Sequence, residues 1–244
     1  MQSSQAEELA AAMAEFRIEL PEEQVELLAR YCALLWQWNA KLNLTRHTDY
    51  ARFVARDLVD SLAFADALEP GETILDVGTG GGVPGVVLAI VRPDLSVSLC
   101  ESVAKKARTV SDIVERLGLA AAVEHARAEQ LLDRSRFNTL TVRAVARLAK
   151  LLGWFRPHWR AFDRLLVLKG PAWVEERGEA RHLGLFGDLA LRKIKSYPMP
   201  GTHSESVLLQ ICPKKRMVDK RCRITQLRDE PARPPRRPET RKGP

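Results

Sequence analysis

Five β-prone residues, Thr73–Val77, run straight into five glycines within eight positions, at 78, 80, 81, 82 and 85, and then into an apolar stretch ending at Val91. No other feature narrows the fold as far. Glycine lets a backbone turn tightly and approach a ligand with no side chain between, and a helix starting there aims its free amides at the same place. Strand, glycine turn and helix together open a parallel α/β sheet, whose ligands bind beyond the C-terminal strand ends. Packing alone seldom calls for so many glycines, so residues 76–85, D-V-G-T-G-G-G-V-P-G, read as a nucleotide-cofactor loop.

Downstream, strand-like runs at 96–100, 122–124, 139–142 and 165–168 alternate with helical stretches near 84–91, 103–117, 147–160 and 172–183. That rhythm predicts right-handed βαβ units and a mostly parallel sheet covered on both faces. Two further runs, 190–195 and 206–211, follow with no helix between them and should close one edge as an antiparallel hairpin. Upstream of Thr73 the pattern is helical. Pro21, Glu22 and Glu23 suit a first turn, and Leu28, Tyr31, Leu35, Trp38 and Leu42 recur along one face. A second helix is expected over 49–68, with Val54, Leu58, Leu62 and Ala65 inward. Trp154, Phe155 and Trp159 invite base stacking, but their helical spacing favours a buried face with Arg156 and Arg160 solvated.

Two glycine fingerprints fit the loop. Gly80, Gly82 and Gly85 satisfy G-x-G-x-x-G, which would suit a dinucleotide. Asp76 extends the pattern to D-x-G-x-G-x-G with Gly78, Gly80 and Gly82. An acid there suits S-adenosylmethionine, which carries ammonium and sulfonium charges, and would repel a pyrophosphate. The closing hairpin agrees, because a seven-stranded sheet with an antiparallel finish is the pattern of a class I methyltransferase rather than of a dehydrogenase. Glu101, ending the next strand, is the expected acceptor for the ribose hydroxyls, and Glu129 lies where the adenine edge is met.

The net charge of +7 suggests nucleic acid until it is located. Residues 213–244 hold twelve Lys or Arg against four Asp or Glu, leaving 26 basic and 27 acidic residues for the rest. This stretch also holds six of the 14 prolines, including P-A-R-P-P-R-R-P at 231–238. A segment of that composition buries no core and is expected to be disordered, serving either as a phosphate-seeking arm or as a solubilising extension. Cys32, Cys100, Cys212 and Cys222 are scattered with no metal-ligand spacing, so neither disulfides nor zinc are expected. No apolar run approaches the ~20 residues of a membrane span and the N-terminus is acidic, so a cytoplasmic chain is expected, with a monomer as the default.

The segment after the fourth strand, T-V-R-A-V-A-R-L at 141–148, offers neither the D/N-P-P-Y/F of amino-group transferases nor a nucleophilic cysteine. An acceptor with a free lone pair and no proton to lose needs neither, and alignment would then carry the catalysis. Here the chain resembles the bacterial guanine-N7 methyltransferases of small-subunit ribosomal RNA, the glucose-inhibited division protein B or methyltransferase G family. The matching stretches are W-N-A-K-L-N-L-T at 38–45, R-D-L-V-D-S at 56–61, L-D-V-G-T-G-G-G-V-P-G at 75–85, I-V-R-P at 90–93, R-A-E at 127–129, R-A at 143–144 and L-K-G at 168–170. The likeness covers about residues 20 to 212. It departs from the family pattern at Gly81, usually proline, and at Asp57, usually histidine.

The resemblance implies a helical cap over 1–70, a class I methyltransferase domain over 71–212 and the basic tail beyond. It implies methyl transfer from S-adenosylmethionine to N7 of a guanine in the conserved decoding-region loop of 16S ribosomal RNA, free or in a small-subunit particle. Carried over, the cofactor contacts fall on Gly78, Val83, Ala128, Glu129 and Arg143, joining Asp76, Gly80, Gly82 and Glu101. Arg143, Lys169 and Arg56 are candidates for contact with RNA, although Arg56 could instead pair with Asp60 on its own helix. Asn39, Asn43 and Thr45 could cap a helix end or line the site. Three other readings stay open: a same-fold methyltransferase with another substrate, a nicotinamide-dependent oxidoreductase, and a non-catalytic RNA binder working through its tail.

Overall fold

The computed structural model describes residues 2–199 and 204–216. Helix α1 (Gln2–Glu15) lies against α2 (Glu22–Asn39), which begins after Pro21 with Glu22 and Glu23 in its first turn, as anticipated. Val25, Leu28, Ala29, Tyr31, Cys32 and Leu35 form its buried face. The helix stops short of Leu42 because the Asn39 Oδ1 accepts the amides of Leu44 and Thr45, turning the chain into a loop. The expected second helix is a composite. Asp49 caps α3 (Tyr50–Arg52) by accepting the Arg52 amide; a π-helical turn, Phe53–Leu58, follows, and α4 (Val59–Ala65) completes it.

Seven strands then build one sheet: β1 (Thr73–Val77), β2 (Ser96–Glu101), β3 (Ala121–His125), β4 (Phe137–Arg143), β5 (Phe162–Lys169), β6 (Leu189–Pro198) and β7 (Glu205–Pro213). Their order is β3-β2-β1-β4-β5-β7-β6, with β7 antiparallel to both neighbours. This is the mixed sheet with a closing hairpin that the alternating sequence predicts. The connecting helices are α5 (Gly85–Val91), α6 (Ala104–Leu117), α7 (Ala128–Leu132), α8 (Leu148–Phe155) and α9 (Trp173–His182). The five-residue α7 is too short to leave a periodic signature, and the helix expected over 147–160 ends in a 3-10 turn at Arg156–His158. Beyond β7 a 3-10 turn, Lys214–Arg216, is still fixed, and Arg216 donates to the Phe162 carbonyl and Asp163. The rest of the expected tail, from 217 on and including Cys222, lies outside the described residues.

Strand side chains alternate between two apolar layers. Ile74, Val97, Leu99, Leu166 and Leu208 join the layer of α1 to α6; Leu75, Val77, Leu140, Val142, Leu165, Val167 and Leu209 join that of α7 to α9. The N-terminal helices therefore share one continuous core with the sheet. Phe155 is fully buried edge-on to Phe162, and Trp159 packs on the same ring, while Arg156 and Arg160 are exposed. The aromatic cluster is core, not a stacking platform.

Two polar ties lock elements near the C-terminal strand ends. The buried Tyr31 hydroxyl on α2 donates to the Gly81 carbonyl at 2.9 Å, and burial raises its pKa well above the ordinary value. Lys169 at the end of β5 pairs with Glu176 on α9 at 2.8 Å, and Glu176 also accepts the Leu148 amide that starts α8. Tyr31→Phe, which orphans a buried carbonyl, should cost about 1–3 kcal/mol and lower the melting temperature by several degrees in calorimetry. Lys169→Met leaves Glu176 without its cation and should destabilise by about 3–5 kcal/mol in denaturant unfolding.

Candidate functional site

The glycine loop forms the floor of a cleft at the C-terminal end of the sheet. Gly78, Gly80 and Gly82 adopt φ of 67°, 61° and 105°, the left-handed region that side chains disfavour. At Gly82 the conflict is also steric, since a Cβ would lie 2.6 Å from Val86 Cγ2. Gly85 serves differently: a Cβ there would meet Leu99 and the Asp76 carboxylate at 2.6 and 2.7 Å, so only glycine lets α5 sit so close to the sheet. Gly81, where the resembled family usually has proline, faces Leu35 and Leu44 from the helical cap.

Asp76 does not reach the surface of the cleft. It is 1% exposed and accepts the Gly85 amide at 3.0 Å and the Thr141 hydroxyl at 3.1 Å. The carboxylate thus joins β1, the head of α5 and β4 beneath the loop. Burial pushes its pKa up to about 6, against the pull of those hydrogen bonds. Its direct contacts are with the protein, so any influence on a ligand acts through the loop.

Glu101 ends β2 and is 6% exposed. Its two oxygens accept the amides of Gly80 at 3.1 Å and Val103 at 2.8 Å, which fixes the carboxylate at the wall of the cleft with lone pairs to spare. Val83 also lines the cleft. Ala128 and Glu129 open α7 beyond β3, the next strand outward from β2; Ala128 is buried and Glu129 half-buried. Both lie outside the residues that line the cleft itself.

Arg143, at the tip of β4, faces the cleft but is held there by two acids. Its guanidinium bonds Asp57 Oδ1 at 2.6 Å and Asp60 Oδ2 at 3.0 Å. Burial pulls the Arg143 pKa down, yet the two carboxylates outweigh it and raise the net value. Asp60, whose own pKa is raised by burial, also accepts the Tyr197 hydroxyl from β6 at 2.7 Å. The other Asp57 oxygen bonds His47 Nδ1 at 2.9 Å. So Asp60 is committed to Arg143 and Tyr197, and the Arg56–Asp60 pair expected from their spacing does not form. Arg56 points instead beside His47. Lys169, the third arginine or lysine singled out, is committed to Glu176 and the Ala146 carbonyl.

Thr45, Arg46 and His47, on the loop after α2, also line the cleft; Thr45 Oγ1 accepts the His47 amide and Asn39 shapes the loop's start. Asn43 is exposed. Sequence reasoning passed over His47, Arg46 and Lys106, and met Ala144 only as half of a motif, yet all four line the cleft. Ala144 adopts φ 55°, a strain that concentrates at functional sites and leaves no mark in composition. Asp57 lies inside a motif stretch and His47 two residues past another, but nothing in a ten-residue separation announces their bond.

The cleft measures about 340 Å³, within the range of small-molecule sites, and its backbone-rich floor fits a ligand that must come close to the chain. No group of three or more potential metal ligands occurs among the described residues. No described helix is long and apolar enough to cross a membrane.

Comparison with known proteins agrees with this architecture. The family described as "GidB: rRNA small subunit methyltransferase G" matches residues 24–199. The ribosomal RNA small subunit methyltransferase G of Rhodopirellula baltica is 48% identical over 192 residues, covering 79% of this chain and 83% of that protein. Its counterpart in Chromobacterium violaceum is 40% identical over 171 residues, covering 69% and 81%. The solved structure of MtNAS in complex with MTA and tNA shares the fold, with a TM-score of 0.51, 18% identity and coverage of 78% and 76%. With a family match over most of its length and relatives at this identity, the chain belongs to the rRNA small subunit methyltransferase G family.

Proposed function

We propose that the chain transfers a methyl group from S-adenosylmethionine to N7 of a guanine in the decoding-region loop of 16S ribosomal RNA. The observation that carries this reading is the cleft: two left-handed glycines, Gly78 and Gly80, and the Glu101 carboxylate line it, in a chain of this family. S-adenosylmethionine supplies an electrophilic methyl group on a positively charged sulfur. The backbone at Gly78 and Gly80 can approach such a ligand, Val83 gives an apolar contact, and Glu101 accepts from the ribose hydroxyls. Ala128 and Glu129, one strand further out, suit the adenine edge.

Guanine N7 carries an in-plane lone pair and no proton, so no side chain need remove one. The positive charge passes from donor to base, and the chain's task is to hold the acceptor in line and exclude water. Arg143, fixed by Asp57 and Asp60, can present a rigid positive edge to the base without swinging away. The RNA substrate is the partner, and the described chain contains no membrane-spanning helix.

Mass spectrometry of digested small-subunit RNA from cells with and without the gene tests the reading. Decoding-loop 7-methylguanosine should vanish with the gene, and its persistence would sink the assignment. Glu101→Ala should weaken S-adenosylmethionine binding by about tenfold or more in calorimetry, the loss expected for hydrogen bonds to a charged acceptor. A cationic ligand favours the ionised form of Asp76, so it binds the deprotonated chain more tightly. Affinity for S-adenosylmethionine should therefore rise as pH increases through about 6, and Asp76→Asn should lack that step.

A further inference from the structure

Beside the cofactor cleft lies a second cavity of about 320 Å³, lined by Arg46, His47, Arg52, Ala55 and Arg56. Arg46 and His47 belong to both cavities, so the two share a wall. Three of its five lining residues are arginines. The only acid bonded to any of them among the described residues is Asp49, paired with Arg52 at 3.4 Å where both side chains are about half exposed or more, a contact that solvent makes weak. Asp57, the nearest buried acid, is occupied by Arg143 and His47.

Arg56 supplies the sharper observation. Its Nη1 is buried and has no hydrogen-bond partner. A donor of a charged group left so is uncommon in folded proteins and marks either strain or a missing acceptor. The residue sits in the π-helical turn Phe53–Leu58, a backbone form that occurs mostly as a local insertion and often at functional sites. That turn places Asp57 inward on Arg143 while Arg56 faces the cavity. A guanidinium fork matches the paired oxygens of a phosphodiester, and three such forks with one weak counter-ion suit an anion rather than a base edge.

We propose that Arg46, Arg52 and Arg56 form a phosphate-binding pocket that seats the backbone of the RNA strand next to the nucleotide entering the cleft. This rests on the methyltransferase reading for its substrate. The pocket is read as sequence-independent: it fixes the strand's position, and the cleft does the chemistry. His47 stands at the shared wall, its ring held by Asp57, and marks the passage from backbone to base.

Filter binding over a range of salt concentrations tests the pocket, with the full chain as wild type, Arg52→Gln, Arg56→Gln and Arg56→Lys. The probes are a 16S decoding-loop transcript and an unrelated single-stranded RNA of equal length. Each glutamine variant should bind both RNAs several-fold more weakly, with a salt slope shallower by about 0.7 per lost phosphate contact. Arg56→Lys, which keeps the charge without the fork, should recover part of the affinity. S-adenosylmethionine affinity by calorimetry should stay at the wild-type value, and KM for RNA should rise more than kcat falls. Arg52 is largely exposed, so its variant remains informative if Arg56→Gln proves unstable in a thermal melt. Unchanged affinity and slope for both RNAs would overturn the pocket, as would a loss confined to the decoding-loop transcript or a loss of S-adenosylmethionine binding. If the wild type binds both RNAs and the variants lose slope, but no RNA is methylated, the methyltransferase reading fails while the pocket stands.

Discussion

A single buried carboxylate organises the cofactor end of this molecule. Asp76 leaves β1 pointing into the protein, takes the amide at the head of α5 and is met by the Thr141 hydroxyl from β4. Three segments, one of them 65 positions away, are thereby held at one point under the glycine loop. Gly85 is glycine because the carboxylate needs the space where a Cβ would stand. The helix start, the turn above it and the adjacent strand tip all inherit their positions from this contact. Keeping a carboxyl in such a place is unfavourable, and the rise of its pKa to about 6 measures that tension.

Much of this was legible beforehand, and the physics explains which part. Each strand presents alternate residues to two apolar layers, so short runs such as Thr73–Val77 and Leu165–Leu168 stand out from helical periodicity even with uncertain ends. Glycine permits positive φ, which made the turn readable at Gly78, Gly80 and Gly82. What stayed hidden has no local signature. Leu42 fits the period of α2, but Asn39 ends the helix by bonding amides five and six positions on. The π-helical turn is invisible to a period count over so few residues. The identities of Arg143's partners, 83 and 86 positions away, depend on how the cap packs against the sheet. Ala144 takes a backbone form that nothing in an alanine foretells.

The arginines and lysine singled out from sequence separate into distinct roles once their partners are seen. Lys169 braces α9, Arg143 stiffens the floor between two acids, and Arg56 alone of the three keeps a buried donor without a partner. Charge counting treats the three alike, whereas a cation already satisfied by buried acids contributes little long-range field. Positive charge at and beside the cleft that no buried acid answers therefore lies on Arg46, Arg52, Arg56 and Lys106.

The hydrogen bond from Tyr31 to Gly81 ties the loop to a helix buried in the core. Glycine-rich turns in solution sample many shapes, and a ligand that must select one of them binds more weakly for it. Here the choice is made during folding, by residues fifty positions upstream of the turn. The N-terminal helices are in that sense part of the cofactor's receptor: Leu35 and Asp57 reach the cleft, the tie to Gly81 preorganises its floor, and affinity there is set partly by packing behind the loop.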